Sequence, residues 1–117
     1  MKTVLIADDT PVVRRHLRGL LEHDACLVEE ANDGVEGLQH AIDKAWDVIF
    51  LDLQMPRMGG IDVLRELQGR GLKVPVVLIT SSESSAEIVS AFKLGAKEYL
   101  LKPFREAQVR HAMQQVA

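Results

Sequence analysis

Short runs of consecutive apolar residues alternate along the chain with stretches in which apolar residues recur every three or four positions. The runs are Val4 to Ala7, Leu27-Val28, Val48 to Leu51, Val76 to Ile79 and Tyr99 to Leu101. Runs this short suit strands that are apolar on both faces. The stretches between them each place a stripe on one helix face: Val13, Leu17, Leu20 and Leu21; Val35, Leu38, Ala41 and Ile42; Ile61, Leu64 and Leu67; Ile88, Ala91 and Phe92; Val109, Ala112, Met113 and Val116. Thr10-Pro11 supplies an N-cap and a first-turn proline, Asp33 a second cap, and Ser84 to Glu87 the spacing of a capping box, with Gly95 as the stop. Arg14, Arg15, Arg18, Glu36 and Lys44 are expected to face water.

Five repeats of strand then helix predict an α/β fold, a parallel sheet covered by helices on both sides. Right-handed crossovers then bring the C-terminal end of every strand to one edge of the sheet. No long linker, low-complexity tract or sequence repeat interrupts the pattern, so residues 1–117 are expected to form a single domain.

Composition narrows the classes. With 47% hydrophobic and 26% charged residues the chain is neither disordered nor membranous in character. Fourteen Lys plus Arg against seventeen Asp plus Glu, a net charge of -3, is the wrong sign for gripping nucleic acid through its phosphates. Cys26 has no partner for an internal disulfide and reads as a small buried residue. The opening MKTVLIADD holds too few apolar residues for a secretory or membrane segment, so a cytoplasmic protein without membrane contact is expected.

In such open sheets ligands bind beyond the carboxyl ends of the strands. The first strand ends in Asp8-Asp9, the third in Asp52, the fourth in Thr80 and the fifth in Lys102-Pro103, while Glu29-Glu30 after the second is expected to point to solvent. Three carboxylates in one pocket repel one another unless a cation sits among them. Oxygen donors without histidine or thiolate favour Mg²⁺ or Mn²⁺, which keeps waters that a phosphate can replace. Asp52, the isolated carboxylate, is then the candidate nucleophile toward phosphorus, with Lys102 neutralising phosphoryl oxygens and Thr80 donating its hydroxyl.

These motifs, LIADDTPVVRR, IFLDLQMPRMGG, VVLITSS and GAKEYLLKPF, resemble in order and spacing the receiver domains of two-component response regulators, chemotaxis regulators among them. The resemblance spans residues 4 to 104 and implies a flavodoxin-like, doubly wound sheet of order 2-1-3-4-5 with five helices. It implies that Asp52 is the phosphoacceptor for a histidine kinase or phosphotransfer protein. Asp8, Asp9, Asp52 and the backbone carbonyl of Gln54 would hold Mg²⁺ (or Mn²⁺), and Lys102 and Thr80 would contact the phosphoryl group. Thr80 and Tyr99 would act as the switch, remodelling the surface of the fourth helix, fifth strand and fifth helix, and Lys102-Pro103 would be cis. Gln54 and Ser82 occupy positions that help set the lifetime of the phosphate in such domains. Kinase recognition would run through the first helix around Arg14 to Leu21, and the output would pass to a downstream protein or an attached domain, from a monomer or a phosphorylation-linked dimer.

Each residue has a plainer reading when taken singly. Asp8-Asp9 suits a solvated turn before a helix, Asp52 a strand end, Thr80 a polar loop and Lys102 an exposed lysine. Their convergence on one edge decides for a site. Tyr99 reads equally well as an ordinary surface tyrosine. His16, His23, His40 and His111 lack metal spacing, Trp46 reads as the seal of the second helix, and Gly59-Gly60 lacks the pattern of a phosphate-binding loop. Phosphatases of the haloacid dehalogenase type need an acid two residues past the nucleophile, where Gln54 stands, and a flavin carrier would have to place its phosphate against two carboxylates. A partner face is expected near Phe92, Lys93, Tyr99 and Arg110.

Overall fold

The computed structural model describes residues 1–81 and 85–116. Ten elements alternate along it: β1 (Thr3–Ala7), α1 (Pro11–His23), β2 (Leu27–Ala31), α2 (Gly34–Asp43), β3 (Val48–Asp52), α3 (Gly60–Gly69), β4 (Val76–Thr80), α4 (Ser85–Lys93), β5 (Glu98–Leu101) and α5 (Glu106–Val116). All four strand pairings are parallel and the sheet order is β2-β1-β3-β4-β5. This is the doubly wound, flavodoxin-like topology, whose strand order reverses between β1 and β3 and leaves a crevice at their C-terminal ends.

Two apolar layers follow from the two-residue period of the strands. Val4, Ile6, Val48, Phe50, Val77 and Ile79 pack against Leu17 and Leu21 of α1 and Val109 and Ala112 of α5. Leu5, Ala7, Ile49, Leu51 and Leu78 pack against Leu38 and Ala41 of α2, the apolar side of α3, and Ala91 of α4. Full burial of one such side chain contributes about 1.5–3 kcal/mol. Among the described residues no helix is long and apolar enough to cross a membrane.

Several local expectations are corrected. Val35 and Ile42 are exposed, and α2 turns Gly34, Gly37, Leu38 and Ala41 inward instead. The reason is close approach: a Cβ on Gly37 would stand 3.0 Å from the Ala7 Cβ, so position 37 has little room for more than glycine beside β1. Strand β2 runs on to Ala31, past Val28, because both glutamates are neutralised at the sheet edge. Glu29 pairs with Lys44, whose ammonium also lies over Trp46, and Glu30 pairs with Arg14 and Arg18. Arg14 and Arg18 therefore do not simply face water.

Thr10 is extended at the start of α1 but makes no side-chain cap, whereas Asp33 accepts from the Glu36 N–H at 2.8 Å. Ser84 of the expected capping box, and Ser82, lie outside the described residues. Trp46 is buried and donates from Nε1 to the His40 carbonyl at 2.9 Å, closing the end of α2.

Candidate functional site

The register of the central strands brings the acids together. Ile6 is the partner of Phe50, and side chains two residues apart share a face, so Asp8 and Asp52 leave their strands side by side. Asp8 is 0% and Asp52 3% exposed, while Asp9 is exposed at the mouth. One carboxylate oxygen from each of the three lies within 4.8 Å of the other two.

Thr80 is buried at the end of β4, and its carbonyl accepts the Lys102 N–H at 2.8 Å. From that fixed base the lysine reaches back over β4. Its Nζ donates to Asp52 Oδ2 at 3.0 Å and stands 3.0 Å from Asp8 Oδ2. The contact with Asp8 falls outside hydrogen-bond geometry, so the buried Asp8 Oδ2 has no hydrogen-bond donor among the described residues. The other oxygens are tied locally: Asp8 Oδ1 accepts from the Thr10 N–H at 2.8 Å and Asp52 Oδ1 from the Gln54 N–H at 3.0 Å. The Lys102-Pro103 peptide is cis.

Burial pushes the Asp52 carboxyl up to about 6; the Gln54 N–H pulls against that rise, Asp8 adds to it, and Lys102 opposes it. Burial also works against the Lys102 ammonium, but its contacts with Asp8 and Asp52 outweigh this and hold its pKa above the ordinary lysine value. One lysine facing three carboxylates leaves the pocket acidic. A buried oxygen without a donor, in an all-oxygen set, fits a hard divalent cation such as Mg²⁺ or Mn²⁺.

The loop after β3 is held by close backbone packing. Leu53 N–H donates to the Ile79 carbonyl at 3.1 Å and Gly60 N–H to the Leu53 carbonyl at 3.0 Å. A Cβ on Gly60 would stand 2.4 Å from the Asp52 carbonyl oxygen, and one on Gly34 1.8 Å from that of Met58. Arg57 is left-handed at φ 68° and pairs with Asp33 at 3.4 Å.

Tyr99 is 44% exposed and meets Phe92 edge-on, with ring centroids 6.3 Å apart, so Phe92 stands at the surface rather than in the core. Tyr99 lines a groove of about 800 Å³ between α4, β5 and α5, with Ile88, Val89 and His111. Arg110 lies on the other flank of α5, paired with Asp24 and Glu106, which removes it from the Tyr99 face. On α1, Leu17 and Leu21 are buried; the exposed Val12 and His16 line a cleft with Lys102, and His16 stacks on Phe104.

Glu30 was missed from sequence. Its signal was the Arg14/Arg18 pair one helical turn apart beside an acidic strand end.

Residues 4–114 match the family model of the response regulator receiver domain. The response regulator MprA of Mycobacterium tuberculosis is 40% identical over 101 residues, which cover 86% of this chain and 44% of MprA. The chain thus spans less than half the length of the curated relatives it matches. The chemotaxis response regulator CheY4 of Vibrio cholerae superposes with a TM-score of 0.92 at 28% identity, over 100% of this chain and 99% of CheY4. The receiver domain of Francisella response regulator 1452 gives 0.87 at 26%, with both chains fully covered. With nearly its whole length matched in sequence and in fold, the chain belongs to the response regulator receiver domains of two-component systems.

Proposed function

We propose that Asp52 accepts a phosphoryl group from the phosphohistidine of a histidine kinase or phosphotransfer protein. Receiver domains are signalling domains rather than classical enzymes, and the chemistry needed here is one group transfer and its reversal by water. An Asp52 carboxylate oxygen forms the new bond to phosphorus as the phosphorus–nitrogen bond of the donor breaks and imidazole leaves with that electron pair. Water later attacks the same phosphorus, releasing inorganic phosphate and restoring the carboxylate.

The observation that carries this reading is Lys102 Nζ at 3.0 Å from the Oδ2 atoms of both Asp52 and Asp8. A cation already stands where phosphoryl oxygens would gather charge. The Thr80 hydroxyl, at the end of the strand that Lys102 crosses, is assigned to the phosphoryl group as a donor. Asp8, Asp9, Asp52 and the Gln54 carbonyl would hold Mg²⁺, which when bound supplies neutralisation of the phosphoryl oxygens and fixes their orientation.

Phosphorylation changes the local charge by about -1 relative to the carboxylate. The switch assigned here draws Thr80 toward the phosphate and lets Tyr99 turn inward from Phe92. That changes the α4-β5-α5 groove, to which a downstream protein or an attached output domain would respond. The exposed start of α1, with Val12 and His16 beside Lys102 and Phe104, offers the phosphodonor an apolar cleft at the rim of the pocket.

Incubation with acetyl phosphate and Mg²⁺ followed by intact mass tests the assignment. A single phosphate adduct is expected, lost in Asp52→Asn and in EDTA. An adduct that survives Asp52→Asn would refute Asp52 as the acceptor.

A further inference from the structure

Outside the pocket, the densest polar arrangement among the described residues is centred on Glu30. Arg14 Nη1 donates to the Asp8 backbone carbonyl at 2.5 Å while its Nε donates to Glu30 Oε1 at 3.0 Å. Arg18 holds the other Glu30 oxygen at 2.5 Å, donates to the Val28 carbonyl at 3.2 Å and pairs with Glu22 at 3.2 Å. The Arg14 side chain is only 15% exposed. Burial works against the Glu30 carboxylate, but hydrogen bonds from Arg18 and then Arg14 hold its pKa below the usual range.

The Asp8 backbone is thus gripped from two sides. Its N–H donates to the Ala31 carbonyl on β2 at 3.1 Å, and its carbonyl is held from α1 by Arg14. With both ends of the residue fixed, the side chain has little freedom except about its own torsions. Those torsions are tied by the Thr10 N–H, which donates to Oδ1 at 2.8 Å and leaves Oδ2 for the pocket.

The charges matter as much as the bonds. An arginine used as a backbone clamp beside a cation site would by itself repel the cation. Arg14 and Arg18 are opposed by Glu30 and Glu22, two positive against two negative charges, so the clamp as a whole is neutral.

We propose that Arg14 is a positioning residue that fixes Asp8 for divalent-cation binding, and that Glu30 neutralises it so that the clamp does not oppose the cation. The inference rests on the acidic pocket's role in the proposed function. Two different physical effects are assigned to two residues, and they separate by salt. A lost hydrogen-bond clamp is insensitive to ionic strength, whereas an unneutralised charge is screened.

The test is Mn²⁺ affinity, read from the electron paramagnetic resonance signal of free Mn²⁺, at low and high KCl, with circular dichroism as a check of folding. Arg14→Met is expected to weaken binding about tenfold at both salts, in the range seen when groups behind a metal ligand are removed. Arg14→Lys keeps the charge but cannot bridge the Asp8 carbonyl and Glu30 at once, and should behave like Arg14→Met. Glu30→Gln keeps an acceptor for Arg14; its deficit, about three- to fivefold at low salt, should shrink at high salt.

Wild-type affinity in Arg14→Lys would overturn the clamp, because charge alone would then suffice. A Glu30→Gln deficit unchanged by salt would overturn the neutralising role. Should Arg14→Met not fold, the other two variants carry the test. Wild-type protein that binds no Mn²⁺ would overturn the reading of the acidic pocket and this inference with it; binding by wild type with no deficit in any variant would overturn the inference alone.

Discussion

The Lys102 N–H donates to the Thr80 carbonyl at 2.8 Å, joining the last residue of β4 to the residue just past β5. Because β4 lies between β3 and β5, the lysine must cross the end of β4 to reach Asp52. Its ammonium is consequently aimed by backbone pairing, and a side chain without charge at this position leaves Asp8 and Asp52 facing each other.

Lys102→Met is expected to lower stability without metal at neutral pH by about 1–2 kcal/mol. Breaking a buried pair costs about 3–5 kcal/mol, and water reaching the half-buried lysine reduces that figure. Added Mg²⁺ should restore more stability to the variant than to wild type. Urea unfolding in EDTA and in Mg²⁺ measures both; equal responses to Mg²⁺ would show that the lysine does not offset the carboxylates.

Asp52 sets a pH dependence whose sign follows from its upward displacement. The folded protein holds this proton up to about 6 whereas an ordinary aspartate releases it near 3.8. Both states are protonated below the lower value, so the site contributes no penalty there. Stability is lost as pH rises between these values, and the full penalty stands above about 6. The gap is worth at most ~3 kcal/mol, reduced to about 1–2 kcal/mol by solvent screening at the pocket mouth. In EDTA, Asp52→Asn should therefore gain that amount at pH 7 and almost nothing below pH 4. An equal gain at both pH values would refute the assignment.

Gly60 and Gly19 make a matched pair. A Cβ on Gly60 would press within 2.4 Å of the Asp52 carbonyl oxygen, whereas Gly19, within α1, has nothing within 4 Å. Gly60→Ala should destabilise by about 1–3 kcal/mol, because the backbone must shift, and should weaken Mn²⁺ binding by moving Asp52. Gly19→Ala should stabilise by about 0.5–1 kcal/mol and leave Mn²⁺ binding unchanged. Thermal melts and metal titration of the two variants give the comparison.

The architecture was legible because each strand was a short apolar run and each helix a stripe; periods of two and about 3.6 leave little choice of layers. Asp8, Asp52, Thr80 and Lys102 were legible for a related reason: a parallel sheet gathers its strand ends, so the residue after each run identifies itself. What escaped was set by distance across the fold. Nothing local in Val35 and Ile42 says that α2 comes too close to β1 for them, since that depends on Gly37 meeting Ala7. Glu30 likewise became intelligible only when α1 laid Arg14 and Arg18 over it. Arg110 belongs to the same class: one step along α5 separates the Tyr99 groove from Asp24, and helical phase alone left the choice between them open.

Arg57 offers a case in which two small effects oppose each other. Its left-handed backbone, φ 68°, costs a residue with a side chain about 1–2 kcal/mol. Its return is an ion pair with Asp33 at 3.4 Å, made by an arginine side chain 61% exposed. Such pairs contribute about 0–1 kcal/mol. The backbone term is the larger, so Arg57→Gly should be neutral to stabilising by up to about 1 kcal/mol in urea unfolding, although it deletes a salt bridge. A clear loss of stability would mean that the pair with Asp33 secures the loop more strongly than its exposure implies.

Tyr99 is the chain's single tyrosine, which makes the proposed switch directly readable. Tyr99 is 44% exposed and, among the described residues, its aromatic contact is the T-shaped one with Phe92. A contact of that kind is worth about 0.5–1.5 kcal/mol, small enough for a phosphate two strands away, acting through Thr80 on β4, to overcome. Tetranitromethane should therefore nitrate Tyr99 readily in the unmodified protein and markedly more slowly after acetyl phosphate and Mg²⁺, as judged by peptide mapping. Asp52→Asn should show no protection. Phe92→Ala removes the contact that holds the ring outward and should slow nitration part of the way without phosphate. Equal rates before and after phosphorylation of Asp52 would mean that Tyr99 stays where it is and that the output passes through another surface.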